Sequence, residues 1–129
     1  MSAVEPIHLF EVAAQQVRWL STSQSVIAAN VSNASTPGYR SRIVQPFSDV
    51  MDNTQLQLAS THASHLELDP IQAQAASIKD ETPWEVTDSG NSVSLEQEMI
   101  KASDVNRSYS LNTSLVKAFH GMLMASVRS

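Results

Sequence analysis

The sequence contains no cysteine, so neither a disulfide framework nor a thiolate metal site can form in this chain. It has only three glycines, and Gly38, Gly90 and Gly121 are too far apart along the chain to form a phosphate-binding loop. It also lacks any apolar run of roughly 18 residues, the length that a membrane-spanning helix requires. These absences argue against a disulfide-rich, a nucleotide-binding and a membrane-spanning protein.

Charge is scarce at both ends of the chain. Residues 1–42 carry two acidic and three basic side chains, residues 43–93 carry eight and one, and residues 94–129 carry three and four. Because the net charge is −5 and no cationic stripe is present, nucleic-acid binding is not expected. Glu5 and Glu11 stand where a signal peptide needs positive charge, so we expect no cleaved signal.

No catalytic or metal-binding pattern stands out in this chain of 129 residues. None of the serines lies in a G-x-S-x-G elbow, and His8 and His120 lie in helical patterns without a nearby acid to orient them. His62 and His65 form an H-x-x-H pair, but this spacing recurs by chance and no second ligand cluster accompanies it. We therefore expect no enzyme activity, no cofactor and no bound metal.

An apolar stripe with steps of three and four residues predicts a long first helix that ends near residue 33. The back of this helix is polar but almost uncharged, which is unusual for a solvated surface helix and typical of contact with protein on more than one side. The stripe consists of Phe10, Ala13, Val17, Leu20, Gln24, Ile27 and Val31.

The residues after this stripe predict a helix end followed by a sharp turn. Asn33 is suited to the left-handed conformation that often follows the last helical residue. Thr36 precedes a proline and is expected to be extended. Pro37 and Gly38 fit the two central positions of a type II turn that ends at Tyr39.

A second long helix is predicted to begin after Ser94. Ser94 is suited to the N-cap and Gln97 to the capping-box position, while Glu96 and Glu98 lie in the first turn, where the helix dipole favours acids. Two helices of about 40 and 50 Å exceed what one small domain needs, so we expect other subunits to pack on them. The apolar face consists of Leu95, Met99, Ala102, Asn106, Tyr109, Thr113, Val116 and Leu123, with a second stripe of Leu111, Leu115, Ala118, Met122 and Ala125.

Residues 43–93 separate the two helices and contain Pro46, Pro70, Pro83 and most of the acidic side chains. We interpret this middle segment as mostly irregular, with a short helix around Phe47 to Leu58 and room for a strand or two. Its only strand-like alternation is the sequence W-E-V-T-D at residues 84–88.

Two segments carry a resemblance to a known family. The sequence I-A-A-N-V-S-N-A-S-T-P-G-Y-R-S-R at residues 27–42 resembles the signature of bacterial flagellar basal-body rod and hook proteins, in which A-x-N-I-A-N-x-x-T-P-G-Y-(K/R) ends the first helix. The matching positions are Ala29, Asn30, Asn33, Thr36, Pro37, Gly38, Tyr39 and Arg40. The opening of the family's C-terminal helix, G-N-x-V-x-L-x-x-E-M, is matched by Gly90, Asn91, Val93, Leu95, Glu98 and Met99, with Tyr109 further on.

The resemblance implies an all-α fold in which the two long terminal helices pack as an antiparallel coiled-coil pair. Residues 1–36 and 94–129 would then form one assembly domain, and residues 37–93 the turn and the irregular acidic middle. The implied function is that of a structural subunit of the hollow rod, which transmits torque and surrounds the export channel. The implied subunit-packing residues are Phe10, Val17, Leu20, Ile27, Val31, Leu95, Met99, Tyr109, Val116 and Leu123.

The resemblance also implies export to the periplasmic rod by the flagellar type III system without signal cleavage. Phe47 and Met51 match the spacing that the export gate recognises in secreted rod and hook subunits, and we expect Arg40 and Arg42 to meet the acidic middle of a neighbour. The expected partners are further copies in a ring, other rod subunits, the export gate and the basal-body base. A sibling rod protein and a cytoplasmic helical adaptor are the alternatives.

Overall fold

The computed structural model of the protein describes residues 4–53 and 77–128, which are mostly helical. Residues 47–53 form a short helix, α2, which confirms the predicted short helix over that range, whereas residues 54–58 and the pair His62 and His65 lie outside the described residues. The other elements are α1 (Val4–Ser32), β1 (Arg42–Val44), β2 (Ile78–Asp80) and α3 (Leu95–Arg128).

A small antiparallel sheet joins the two ends of the middle segment, so the fold is mostly helical rather than all-α. Strands β1 and β2 pair in the register Arg42 to Asp80, Ile43 to Lys79 and Val44 to Ile78. Backbone bonds extend the pairing on both sides, from Gln45 N to Ser77 O and from Glu81 N to Ser41 O, each 2.9 Å long.

The alternating sequence W-E-V-T-D forms no strand. Trp84 and Val86 are 64% and 55% exposed, so the apolar side chains of this alternating sequence do not form a buried face. Its last residues enter a tight turn in which Thr87 O accepts from Gly90 N at 2.8 Å and Thr87 N donates to Asn91 O at 3.0 Å. Gly90 has φ +81°, and this arrangement is a type I turn closed by a glycine bulge.

Helices α1 and α3 lie side by side in opposite directions. Phe10 meets Phe119 edge to face with ring centroids 5.6 Å apart, whereas Asn30 at the other end of α1 donates to Glu98 at 3.1 Å. Between them, Asn112 Nδ2 donates to Ala13 O at 3.1 Å. The face of α3 that is buried or half-buried recurs in steps of three and four and consists of Glu98, Lys101, Val105, Ser108, Asn112, Val116, Phe119 and Leu123.

The apolar stripe predicted on α3 coincides only in part with the face that packs on α1. Leu95, Met99 and Tyr109 are 50%, 69% and 51% exposed, while Val116 and Leu123 are half-buried. On α1 the predicted stripe lies mostly on the buried face, and only Gln24 and Val31 of its seven residues are exposed. The stripes were assigned by hydrophobicity, whereas polar side chains occupy much of the inner face and bind backbone there.

The buried apolar core is small. Among the described residues only three hydrophobic side chains are buried, Leu20, Val44 and Val105, whereas eight polar or charged side chains are. Trp19 extends this core by packing its ring at a tilt on Phe47, with centroids 6.0 Å apart, and by donating Nε1–H to Gln45 O at 2.7 Å. None of the helices within the described ranges has both the length and the hydropathy needed to cross a bilayer.

Candidate functional site

The turn after α1 has the predicted type II geometry. Tyr39 N donates to Thr36 O at 3.2 Å, which closes the four-residue turn, and Gly38 has φ +73° at its third position. A Cβ at Gly38 would have no atom within 4 Å apart from its own chain neighbours. The requirement for glycine therefore comes from the backbone conformation and not from lack of space.

The predicted left-handed conformation of Asn33 is wrong, because no non-glycine residue in the described ranges has a positive φ. Asn33 N instead lies 3.2 Å from the carbonyls of both Ala29 and Asn30. Its side-chain Nδ2 donates to Ala29 O at 2.8 Å, and its Oδ1 accepts from Thr36 Oγ1 at 3.1 Å. Since the amide side chain satisfies a carbonyl at the helix end, the backbone does not have to reverse its handedness there.

Asn30 is completely buried and uses its whole amide group. Its Nδ2 donates to Arg42 O at 2.8 Å and to Glu98 Oε1 at 3.1 Å. Its Oδ1 accepts from Arg42 N at 3.0 Å and from the Tyr39 hydroxyl at 3.4 Å. The side chain thus imitates a paired backbone for β1 and connects α1, the turn and α3.

Asn91 binds the backbone of the turn with its side-chain amide, as Asn30 binds the backbone of β1. Its Nδ2 donates to Asn33 O at 2.8 Å and to Thr36 O at 2.7 Å, and its Oδ1 accepts from Val93 N at 2.8 Å. Backbone bonds from Gly38 N to Ser89 O at 2.9 Å and from Ser92 N to Tyr39 O at 3.0 Å run alongside. The two sequence motifs therefore bind each other, and we call residues 30–42 together with Glu81 and residues 90–101 the clasp.

A buried ionic cluster lies at the centre of the clasp. Lys101 Nζ is 2.6 Å from Glu98 Oε1 and 2.8 Å from Glu81 Oε2, and the Glu98 side chain is only 1% exposed. Ser41 Oγ lies 2.8 Å from Glu81 Oε2 and 3.3 Å from Glu98 Oε1, so its single proton serves one carboxylate at a time. Removing one partner from such a cluster typically costs about 3–5 kcal/mol, since a buried charge is left uncompensated.

Helix α3 begins at Leu95, directly after the predicted N-cap Ser94, but only half of the capping box forms. Gln97 N donates to Ser94 Oγ at 3.4 Å, and the reciprocal contact is replaced because Gln97 Nε2 donates to Glu81 Oε1 at 2.8 Å. Gln97 Oε1 and Glu98 Oε2 are buried without a hydrogen-bond partner. The first turn of α3 thus serves to hold the middle segment as well as to start the helix.

Sequence reasoning missed Ser41, Glu81 and Lys101 as members of the clasp. Ser41 lies between two arginines, and nothing in the local sequence distinguishes it from exposed serines. Glu81 lies in an irregular stretch without periodicity, so no pattern predicts its burial. Lys101 lies on α3 at a position that faces α1, where a hydrophobicity pattern gives no signal. Only the chain's return from β2 to the start of α3 brings the three side chains together.

The side chains of four other predicted site residues lie outside the clasp's hydrogen-bond network. Phe47 and Met51 are half-buried on α2, with Phe47 against Trp19. Arg40 and Arg42 have exposed side chains, and no ion pair of either is formed within residues 4–53 and 77–128. In the same ranges, no group of three acidic or histidine side chains is arranged to hold a metal ion.

Known proteins resemble this chain, both over the end of α1 with its turn and over most of its length. The family described as Flagella basal body rod protein matches residues 19–40, which include the end of α1 and the turn. A flagellar basal body rod protein FlgB of Agrobacterium fabrum is 40% identical over 130 residues, 98% of this chain and 97% of that protein. FlgB proteins of Proteus mirabilis and Escherichia coli are both 26% identical, over 79% and 70% of this chain and 80% and 72% of their own lengths.

These similarities define a structural subunit of the rod of the bacterial flagellar basal body. The chain belongs to the FlgB family of that class. The resemblance predicted from residues 27–42 and 90–109 is thereby confirmed.

Proposed function

We propose that this protein forms part of the proximal rod, the hollow drive-shaft that transmits torque and surrounds the export channel. In this proposal residues 1–36 and 94–129 form one assembly domain, whose helices continue as a coiled-coil pair in the tube. Residues 37–93 leave this domain at an angle that the clasp sets. The proposal assigns the protein no catalytic role and no cofactor.

The observation that carries the proposal is the apolar surface that the helix pair leaves uncovered. Met99 is 69% exposed, Leu111 61%, Leu115 56% and Met122 67%. The exposure of so many apolar side chains to water on one helix is unfavourable for a monomer. It is typical of a surface that another protein covers. The polar, almost uncharged back of α1 supports the same conclusion, since charges buried between subunits would be costly.

The clasp supports the proposal because it makes the exit of the middle segment rigid. Asn30 and Asn91 tie the turn to both helices, so each copy sends residues 37–93 out in the same direction. A repeated assembly requires this reproducibility, since an angular error is repeated in every copy. Exposed Arg40 and Arg42 are then available to the acidic middle segment of a neighbouring copy.

We also propose that the chain is exported through the flagellar type III gate, with Phe47 and Met51 as the recognised side chains. The small apolar core supports export, because a chain with three buried hydrophobic residues in its described part is easily unfolded. The alternative of a cytoplasmic helical adaptor differs in one observable, since an adaptor remains inside the cell.

Replacing Met99 by aspartate tests the assembly role of the α3 stripe. Met99 is exposed, so Met99→Asp should leave the secondary structure and the secretion of the chain unchanged while cells lose rods and motility. Ser114→Asp is the matched control, because Ser114 is exposed on the polar side of the same helix. Motile Met99→Asp cells with normal basal bodies would show that this stripe does not pack against other subunits.

A further inference from the structure

A groove of about 270 Å³ lies between α1, β1 and α3. Its lining is mainly apolar and includes Leu20, Ile27, Val44 and Val105, with the side chain of Arg42 among its charged lining residues. The volume is slightly below the range of roughly 300–1,000 Å³ that is typical of small-molecule sites. It suits one large aromatic side chain better than a metabolite.

An exposed aromatic side chain is present elsewhere on the same chain. Residues 82–89, which we call the arm, run from the clasp contact of Glu81 to the turn at Gly90. Trp84 is 64% exposed on this arm, Val86 is 55% exposed, and neither residue lines the groove of its own chain. Exposed tryptophans are the side chains that most often anchor protein interfaces.

The charges of the arm and the groove are complementary. Glu85 stands next to Trp84 and is exposed, and Asp88 follows it on the same arm. Among the charged residues that line the groove, Lys101 is paired with two carboxylates and Asp104 with Arg107. Arg42 forms no ion pair within the described ranges, so it is available to an incoming carboxylate.

We propose that the arm of one copy docks into the groove of a second copy, with Trp84 inserted into the groove and Glu85 paired with Arg42. The proposal rests on the proposed function as a rod subunit and names one contact by which copies would join. In this arrangement each arm occupies the groove of the next copy and is not exchanged within a pair, so the contact is heterologous. Such a contact extends into a ring or a helical array instead of stopping at a dimer.

The absence of cysteine makes a cross-linking test unambiguous. In cells whose own gene is replaced by the variant, V86C/S108C places one thiol on the arm and one on a groove-lining residue while Trp84 stays in place. Oxidation of isolated basal bodies should give a ladder of dimers, trimers and larger species of this chain. V86C/S114C is the matched control, because Ser114 is exposed but does not line the groove, and it should give no ladder.

Two further variants test the proposed partners in the contact. Adding Trp84→Ala to V86C/S108C should lower the cross-linked fraction roughly tenfold or more, since loss of a buried interface tryptophan is among the costliest truncations. Arg42→Glu should impair motility, and combining it with Glu85→Arg should restore it. Restoration would not occur if Arg42 only stabilised its own chain, so this test also remains informative if a cysteine variant folds poorly.

The outcomes separate this inference from the function on which it rests. Basal bodies that contain the chain but give no ladder, dimers alone, or equal ladders with the control pair would overturn the docking and leave the rod function intact. Motile Trp84→Ala cells, or a charge swap without rescue, would also overturn it. Absence of the chain from isolated basal bodies would instead overturn the rod function itself.

Discussion

Replacing Gly38 by alanine isolates the cost of a positive φ from every other effect. Gly38 has φ +73°, and a Cβ there would meet no atom within 4 Å, so no clash contributes. An L-residue pays on the order of 1–2 kcal/mol for the left-handed region. In a domain of this size a loss of 1 kcal/mol lowers the unfolding midpoint by about 4 °C.

Gly121 provides a matched control within the same chain. It lies inside α3, and a Cβ there would also meet nothing within 4 Å. Since glycine costs about 1 kcal/mol relative to alanine in a helix interior, Gly121→Ala should stabilise the protein by up to about that amount. The same chemical change is therefore expected to have opposite signs at Gly38 and Gly121 in thermal melts followed by circular dichroism.

The effect of Gly38 on assembly should exceed its effect on the monomer. Gly38→Val should be secreted but leave cells without rods and motility, because a β-branched residue strongly resists positive φ and the altered exit angle is repeated in every copy. Gly38→Asn should be milder, since asparagine tolerates the left-handed region. Equal midpoints for the two alanine variants would refute the backbone argument, and motile Gly38→Val cells would refute the role of the turn in assembly.

The remaining predictions concern the clasp, the export signal and the isolated chain. Asn30→Ala removes hydrogen bonds of 2.8, 3.0 and 3.1 Å. At about 1 kcal/mol for each bond, the free energy of unfolding measured in urea titrations should fall by about 3 kcal/mol. Asn33→Ala, which removes exposed hydrogen bonds, should lower it by less than about 1 kcal/mol. Phe47→Ala should block export without reducing synthesis, whereas Ser48→Ala should be exported normally. Normal secretion of Phe47→Ala would show that Phe47 is not an export signal and only packs on Trp19. The dilute monomer should be only partly helical by circular dichroism, with its cooperative transition confined to the clasp end of the helices, because its exposed stripes lack partners. A monomer with both helices fully formed and melting as one unit would contradict the self-assembly argument.

Features that depend on neighbours within about four residues could be predicted from the sequence. The end of α1, the type II turn through Pro37 and Gly38, and the start of α3 after Ser94 are of this kind, since proline, glycine and serine act on their own backbone. Asn33 shows where local reasoning fails. An asparagine at a helix end can either adopt the left-handed backbone conformation or bind a helix carbonyl with its side chain. Asn33 binds Ala29 O with its side chain, so the left-handed conformation is not required.

The partners in the ionic cluster could not be predicted, because they come from distant parts of the chain. Glu81 is 20 residues before Lys101 and 40 after Ser41, and its position beside both follows from the pairing of β1 with β2. Three-residue strands carry too little alternation to be recognised. The sequence W-E-V-T-D has the alternation but neither a buried face nor a neighbouring strand, and it forms no strand.

The sequence by itself determined two long helices, the turn that ends the first of them and the family to which the chain belongs. These follow from helical periodicity and from residues with special backbone chemistry, both of which are local properties. Only the tertiary structure decided that Asn30 and Glu98 face inward while Met99 and Tyr109 face water. The physical reason is that the inner face near the clasp is selected by hydrogen bonding to distant backbone and charge, so Met99 and Tyr109 remain on the exposed side of α3.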